Sequence, residues 1–174
     1  MWIVFFQTVG TVILAISQLS FVQALPAPLY HFNTIIIVLV LLLFFYRLKK
    51  TLIFVLIAGF IFDIHTHTFF GLHMLSLLAS AIISYLFLEK FFTNKSLYSF
   101  IFIAGIATLF YESAKVILLI IFNSLIGGAA ANFSLNQKYF NALVAELLLN
   151  ILAATIIFYG INYFSKKLKP FLIR

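Results

Sequence analysis

Long apolar stretches alternate along this chain with polar breaks, most of them short. The first apolar run covers about 2–24, after which Pro26 and Pro28 interrupt the chain. A second run, about 30–46, ends at Arg47-Leu48-Lys49-Lys50. A third starts at Thr51, fades through Asp63-Ile64-His65-Thr66-His67-Thr68 and stops at about 68, with Gly71 just beyond. The fourth, about 72–88, ends at Glu89-Lys90 and is followed by the polar turn Thr93-Asn94-Lys95-Ser96. The fifth, about 98–123, gives way to a segment rich in Gly, Ala and Asn between Asn123 and Lys138. The sixth, about 139–164, runs into Ser165-Lys166-Lys167-Leu168-Lys169. Each run is close to the roughly 20 apolar residues that cross a hydrocarbon core about 30 Å thick. The pattern predicts an all-α integral membrane protein of six transmembrane helices, forming a single domain over residues 1–174. No internal repeat, linker or soluble domain interrupts it.

Composition strengthens this reading. Of 174 residues, 65% are hydrophobic and only 9% are charged. Soluble domains are closer to half apolar and a quarter charged, so the solvent for most of this surface must be lipid. The absence of cysteine removes disulfides, thiolate metal sites and cysteine nucleophiles. The first run has no Lys or Arg before it and is longer than the apolar region of a typical signal peptide, which predicts a retained first helix. Aromatic content is high, with 23 Phe, and suits lipid-facing helices.

The net charge of +7 would raise the question of nucleic acid in a soluble protein. Here the basic residues sit between the apolar runs and read as topology instead. Arg47, Lys49 and Lys50 follow the second run, Lys90 and Lys95 follow the fourth, and Lys166, Lys167, Lys169 and Arg174 follow the sixth. With six helices all of these fall on one side, and basic loops stay in the cytoplasm. Both termini are therefore expected to be cytoplasmic, with Asp63–His73 near the outer surface.

Three groups of residues could carry chemistry. Asp63, His65 and His67, with His73 nearby, are carboxylate and imidazole groups of the kind that bind zinc. The competing reading is a polar helix end at the membrane surface. It is preferred, because no H-E-x-x-H signature accompanies the histidines. Ser76, Ser80 and Ser84 fall on one helix face, where small residues let helices approach and hydrogen-bond, within the chain or to a partner. Asp63, Glu112, Lys115 and Glu146 are ionisable groups inside predicted spans, where charge is costly and turns toward a bundle interior or cavity. Their depths predict that Lys115 meets Glu146, with Asp63 as the alternative partner and Glu112 level with Asn150. Such a cluster would either fix helix register or line a polar cavity open to the outer surface. There is no glycine-rich phosphate loop, no arginine cluster and no nucleophile beside a base, which argues against an enzyme.

Gly59-Phe60-Ile61-Phe62-Asp63 followed by Phe70-Gly71-Leu72-His73-Met74-Leu75-Ser76-Leu77-Leu78 resembles the MreD family, small membrane proteins of bacterial rod-shape determination. Family members carry Gly-x-x-x-Asp on a helix, a short loop, then an aromatic or Pro residue, Gly, Leu, a variable residue and an apolar run. Gly59 and Asp63 match the first part, and Gly71, Leu72 and Leu75 the second. The specific match covers about 30 residues, while length and six-helix layout agree over most of the chain. The family often has a Pro-Asp pair entering its second helix; this chain has Pro28-Leu29-Tyr30 there, without an acid.

The resemblance implies a non-enzymatic scaffold of the wall-elongation machinery in the bacterial inner membrane, without a cofactor. Its partners would be an MreC-like protein, a RodA-type glycosyltransferase and a penicillin-binding protein. It also implies a bundle like the substrate-binding S-components of energy-coupling-factor transporters. Those subunits are the alternative function class, with an outward-facing pocket for a vitamin or metal.

Overall fold

The computed structural model describes residues 2–46, 48–66, 69–92, 96–126 and 137–172, with side chains at all of these except 2–6, 126, 162 and 164–172. Six α-helices follow in order: α1 (Trp2–Ser17), α2 (Thr34–Phe45), α3 (Leu48–His65), α4 (Leu72–Phe91), α5 (Leu97–Ile126) and α6 (Gln137–Leu172). A π turn, Gln18–Val22, extends α1, and a 3-10 turn, Leu29–His31, precedes α2. No strand occurs among the described residues.

The six helices fall where the apolar runs predict, with boundaries moved by local chemistry. The second helix begins at Thr34 rather than near residue 30, because Asn33 adopts an extended conformation and its side chain caps Ile36 N at 3.4 Å. The third begins at Leu48 and ends at His65, so the basic residues Lys49 and Lys50 form its first turn. The sixth continues to Leu172 through the lysine-rich tail. Lysine is a good helix former, and helical backbone satisfies itself in water as in lipid.

Among the described residues, three helices are long and apolar enough to cross a membrane: α4 over Leu72–Phe91, α5 over Leu97–Leu125 and α6 over Gln137–Ile161. Two shorter apolar helices, Gln7–Val22 and Thr34–Phe45, accompany them. The short α2 sits at the centre. It touches α1, α3, α4, α5 and α6, and Ile35, Ile36, Ile37, Leu39, Val40 and Leu43 are buried on all sides of it. A helix apolar all round belongs in such an interior. At the other extreme, only 11% of the spanning window of α6 is buried. Val144, Leu148, Leu152, Ile156 and Tyr159 form an exposed stripe along it, at spacings of three and four residues.

At Gly59, α3 comes into close contact with α4. A Cβ added at Gly59 would stand 2.4 Å from Met74 Cα, so only glycine allows this approach. Gly71 begins α4 with φ +94°, the left-handed region that side-chain-bearing residues avoid. The space around its missing Cβ is open, with nothing within 4 Å. Its role is therefore conformational and does not come from crowding at the turn.

These two glycines make separable predictions for thermal melting of the purified protein. Gly59→Val forces α3 and α4 apart and should cost roughly 1–3 kcal/mol or more, as overpacking does. At Gly71 the loss should depend on backbone preference: Gly71→Val should cost about 1–2 kcal/mol. Gly71→Asn should lose less, since asparagine visits the left-handed region. Equal melting of the two Gly71 variants would sink the conformational account.

Candidate functional site

Two polar assemblies lie at the end of the bundle where α1, α3 and α5 finish and α2, α4 and α6 begin. The first is the α3–α4 corner. Asp63, 5% exposed, lies one turn beyond Gly59 on α3. Its carboxylate accepts hydrogen bonds from the backbone N–H groups of Gly71 (3.0 Å), His73 (2.8 Å) and Met74 (3.2 Å). These are the first amides of α4, which have no partner within their own helix. A carboxylate there satisfies them and complements the positive end of the helix dipole. Asp63 is thus committed to capping α4 rather than to pairing with Lys115.

His73 leaves this corner toward α5. Its Nδ1 lies 2.8 Å from the Tyr111 hydroxyl, and Phe62 packs edge-on against its ring. His65 is exposed at the end of α3, and His67 lies outside the described residues. Among the described residues no three His, Cys, Asp or Glu side chains are grouped as metal ligands would be.

The second assembly joins α2, α5 and α6. Asn33 Nδ2 donates to Glu146 Oε1 at 3.1 Å, and Asn33 N donates to Asn150 Oδ1 at 3.0 Å. Asn150 Nδ2 in turn donates to Thr108 Oγ1 at 3.0 Å. Gln18, on the π turn, holds the residues on either side of Asn33. It accepts from Thr34 N (2.9 Å) and donates to Phe32 O (2.8 Å).

Lys115 was expected to meet Glu146; its ammonium instead bonds Glu112, three residues earlier on the same helix, and sits 5.2 Å above the Tyr111 ring. Residues three apart on a helix are already neighbours, so this pairing needs no contact from α6. Tyr139 donates its hydroxyl to the other Glu112 oxygen at 3.2 Å. Glu146 faces the same cavity as Glu112 and Lys115 from the α6 side. The ionisable side chains of α5 and α6 are therefore brought together, but through Glu112 rather than by a direct Lys115–Glu146 pair. Asn150 bonds Thr108 and Asn33, not Glu112.

Glu112, Lys115 and Glu146 line a cavity of about 200 Å³ together with His31, His73 and Tyr111. The segment leading into α2 contributes Tyr30 and Asn33, and the π turn contributes Gln18. His31 lies outside the helices; burial holds its pKa below the usual histidine value, and the Glu112 charge offsets part of that effect. The cavity's described lining offers two carboxylates, one ammonium, two imidazoles, neutral donors and aromatic walls.

The serines of α4 lie elsewhere. Ser76, Ser80 and Ser84 are fully buried, and Ser80 donates to Ala107 O of α5 at 2.7 Å. Ser76 bonds back to Leu72 O, while Ser84 Oγ has no hydrogen-bond partner. Leu72 is buried in the first turn of α4. This face packs within the chain.

Asn33, Gln18, His31 and Tyr111 are the site residues that sequence reasoning missed. Gln18 interrupts an apolar run, and Asn33 stands immediately before one. Both are signals of polar groups that must be paired within a bundle. No family model, no curated protein and no solved structure matches the chain.

The corner makes a direct prediction. Asp63→Ala leaves three α4 amides without their acceptor and should cost about 1–3 kcal/mol. Asp63→Asn keeps one acceptor oxygen and should fall between Asp63→Ala and the natural protein. Thermal melting of the three proteins checks the order, and an Asp63→Ala melt equal to the natural one excludes a stabilising cap.

Proposed function

We propose that this chain is a multi-pass protein of the bacterial inner membrane, acting as an MreD-like scaffold of the cell-shape and wall-elongation machinery rather than as an enzyme. In this reading all six helices span the bilayer and both termini are cytoplasmic. The partners are an MreC-like membrane protein, a RodA-type glycosyltransferase and a penicillin-binding protein, met through helix–helix contacts.

The observation that carries the proposal is the joint role of Gly59, Asp63 and Gly71. These are the residues on which the resemblance to the MreD family rests, and they act on one structure. Gly59 admits the backbone of α4, Asp63 caps it, and Gly71 sets the turn that starts it. Residues matched merely through apolar composition would have no reason to converge in this way. The exposed stripe of α6 adds a face on which a partner helix or lipid can pack.

The polar cavity favours a second reading, a substrate-binding subunit resembling the S-components of energy-coupling-factor transporters. The two readings differ in partners. Isolation in mild detergent should recover MreC-like and wall-synthesis proteins; recovery of transporter ATPases in their place decides for the second. Orientation is tested separately. Reporter fusions after Lys50 and after Lys95 should both report cytoplasm, as the positive-inside rule requires for six spans. A periplasmic signal from either one rejects this topology.

A further inference from the structure

The cavity at the entry to α2, walled by α3, α4, α5 and α6, has an unbalanced set of charges. Glu112 of α5 and Glu146 of α6 both line it, and Lys115 supplies one ammonium, bonded to Glu112. Two carboxylates facing one small cavity repel when both are ionised, and a buried charge without a partner is strongly disfavoured. The neutral donors do not replace a charge. Asn33 gives Glu146 a single hydrogen bond, and the Gln18 amide is spent on Phe32 and Thr34. One further positive charge on the Glu146 side, a proton or a cationic ligand, balances the arrangement.

The space beside Glu146 limits what can supply that charge. The cavity of about 200 Å³ exceeds the ~150 Å³ that accommodates benzene, so a molecule of roughly six to ten heavy atoms fits. The ligand set is poor for a hard metal ion, which takes six or more oxygens. An anion would meet net negative charge. An organic cation finds both of its needs met. Its charged end faces a carboxylate, and its carbon chain can lie along Tyr30, Phe62 and Tyr111, whose ring faces also attract cations.

We propose that this cavity is a binding site for a small organic ammonium compound, with Glu146 as the carboxylate that receives the ammonium group. Asn33 positions Glu146, and the Glu112–Lys115 pair sets the charge of the wall behind it. The His31–Tyr30 turn forms part of the rim and admits the ligand from the end of the bundle opposite Lys49 and Lys50. The site stands on its own residues and does not depend on which proteins the chain docks.

The test uses the full chain in lipid nanodiscs and three probes of matched size: aminobutanol as the ammonium, butanediol as the neutral form and hydroxybutyrate as the anion. Binding is followed by isothermal titration calorimetry. Aminobutanol should bind at least about tenfold more tightly than either of the other two, the scale of one desolvated charge pair. Glu146→Gln should weaken aminobutanol by a similar factor while leaving the diol unchanged. Charge selectivity is read on the unaltered protein, so a poorly folded variant cannot imitate failure. Equal binding of the diol, preference for the anion, or no binding of the ammonium overturns the proposal. The last result would mean that a proton alone supplies the missing charge.

Discussion

Two helices of this protein begin inside the bundle, and their first amides must find acceptors there. An apolar interior offers none, and an unsatisfied amide there costs several kcal/mol. Both helix starts are served by side chains from other elements. The start of α4 is capped by Asp63 of α3. At the start of α2, Gln18 of the π turn accepts from Thr34 N and Asn150 of α6 accepts from Asn33 N. Each cap therefore also joins two elements, so the order of helices in the bundle follows from the need to satisfy backbone. Of the polar residues involved, Gln18 and Asn33 also line the cavity, so the start of α2 shapes its wall.

This requirement also explains what the amino-acid sequence reveals and what it conceals. Hydropathy marks six helices because a buried helix and a membrane-spanning one both demand apolar residues; α4 and α5 follow their runs within a few residues, whereas α6 continues to Leu172, well past its run. Depth arithmetic places Lys115 near the level of Glu146 and Glu112 one turn deeper, level with Asn150, since a helix advances a fixed distance per residue. It cannot say which way each side chain turns. Lys115 thus found Glu112 on its own helix, and the cross-helix bond to Glu112 comes from Tyr139 of α6. Asp63 is recognisable as an ionisable group in an apolar run, but its task depends on α4 approaching within the reach that Gly59 allows. Asn33 and Gln18 were harder to see, because each acts on residues that become its neighbours only after the chain has turned at Pro26 and Pro28.

The helices differ in how fully the chain itself surrounds them. α2 is enclosed by five others, whereas α6 offers most of its length to its surroundings. Packing within the chain thus concentrates on the side of α2, α3 and α4. Small residues serve it there, with Ser80 bridging to α5 and Gly59 admitting Met74. The exposed aliphatic stripe on α6 follows the opposite logic, because in lipid a large apolar side chain needs no protein partner.

The shortness of α2 has an electrical consequence. Twelve residues make a helix about 18 Å long, against a hydrocarbon core about 30 Å thick. Because other helices surround it, lipid never has to match its length, and the polar cavity occupies the depth it leaves empty. In a bilayer oriented as proposed, polar surroundings then reach inward toward Glu112 and Glu146 from the outer face. A transmembrane voltage falls mainly across low-dielectric material, so the field is focused onto the segment between these carboxylates and the lysines at the start of α3. A charge resting beside Glu146 would therefore sit near the outer edge of that field, sensing only a part of the roughly 2.3 kcal/mol per 100 mV carried by a full crossing.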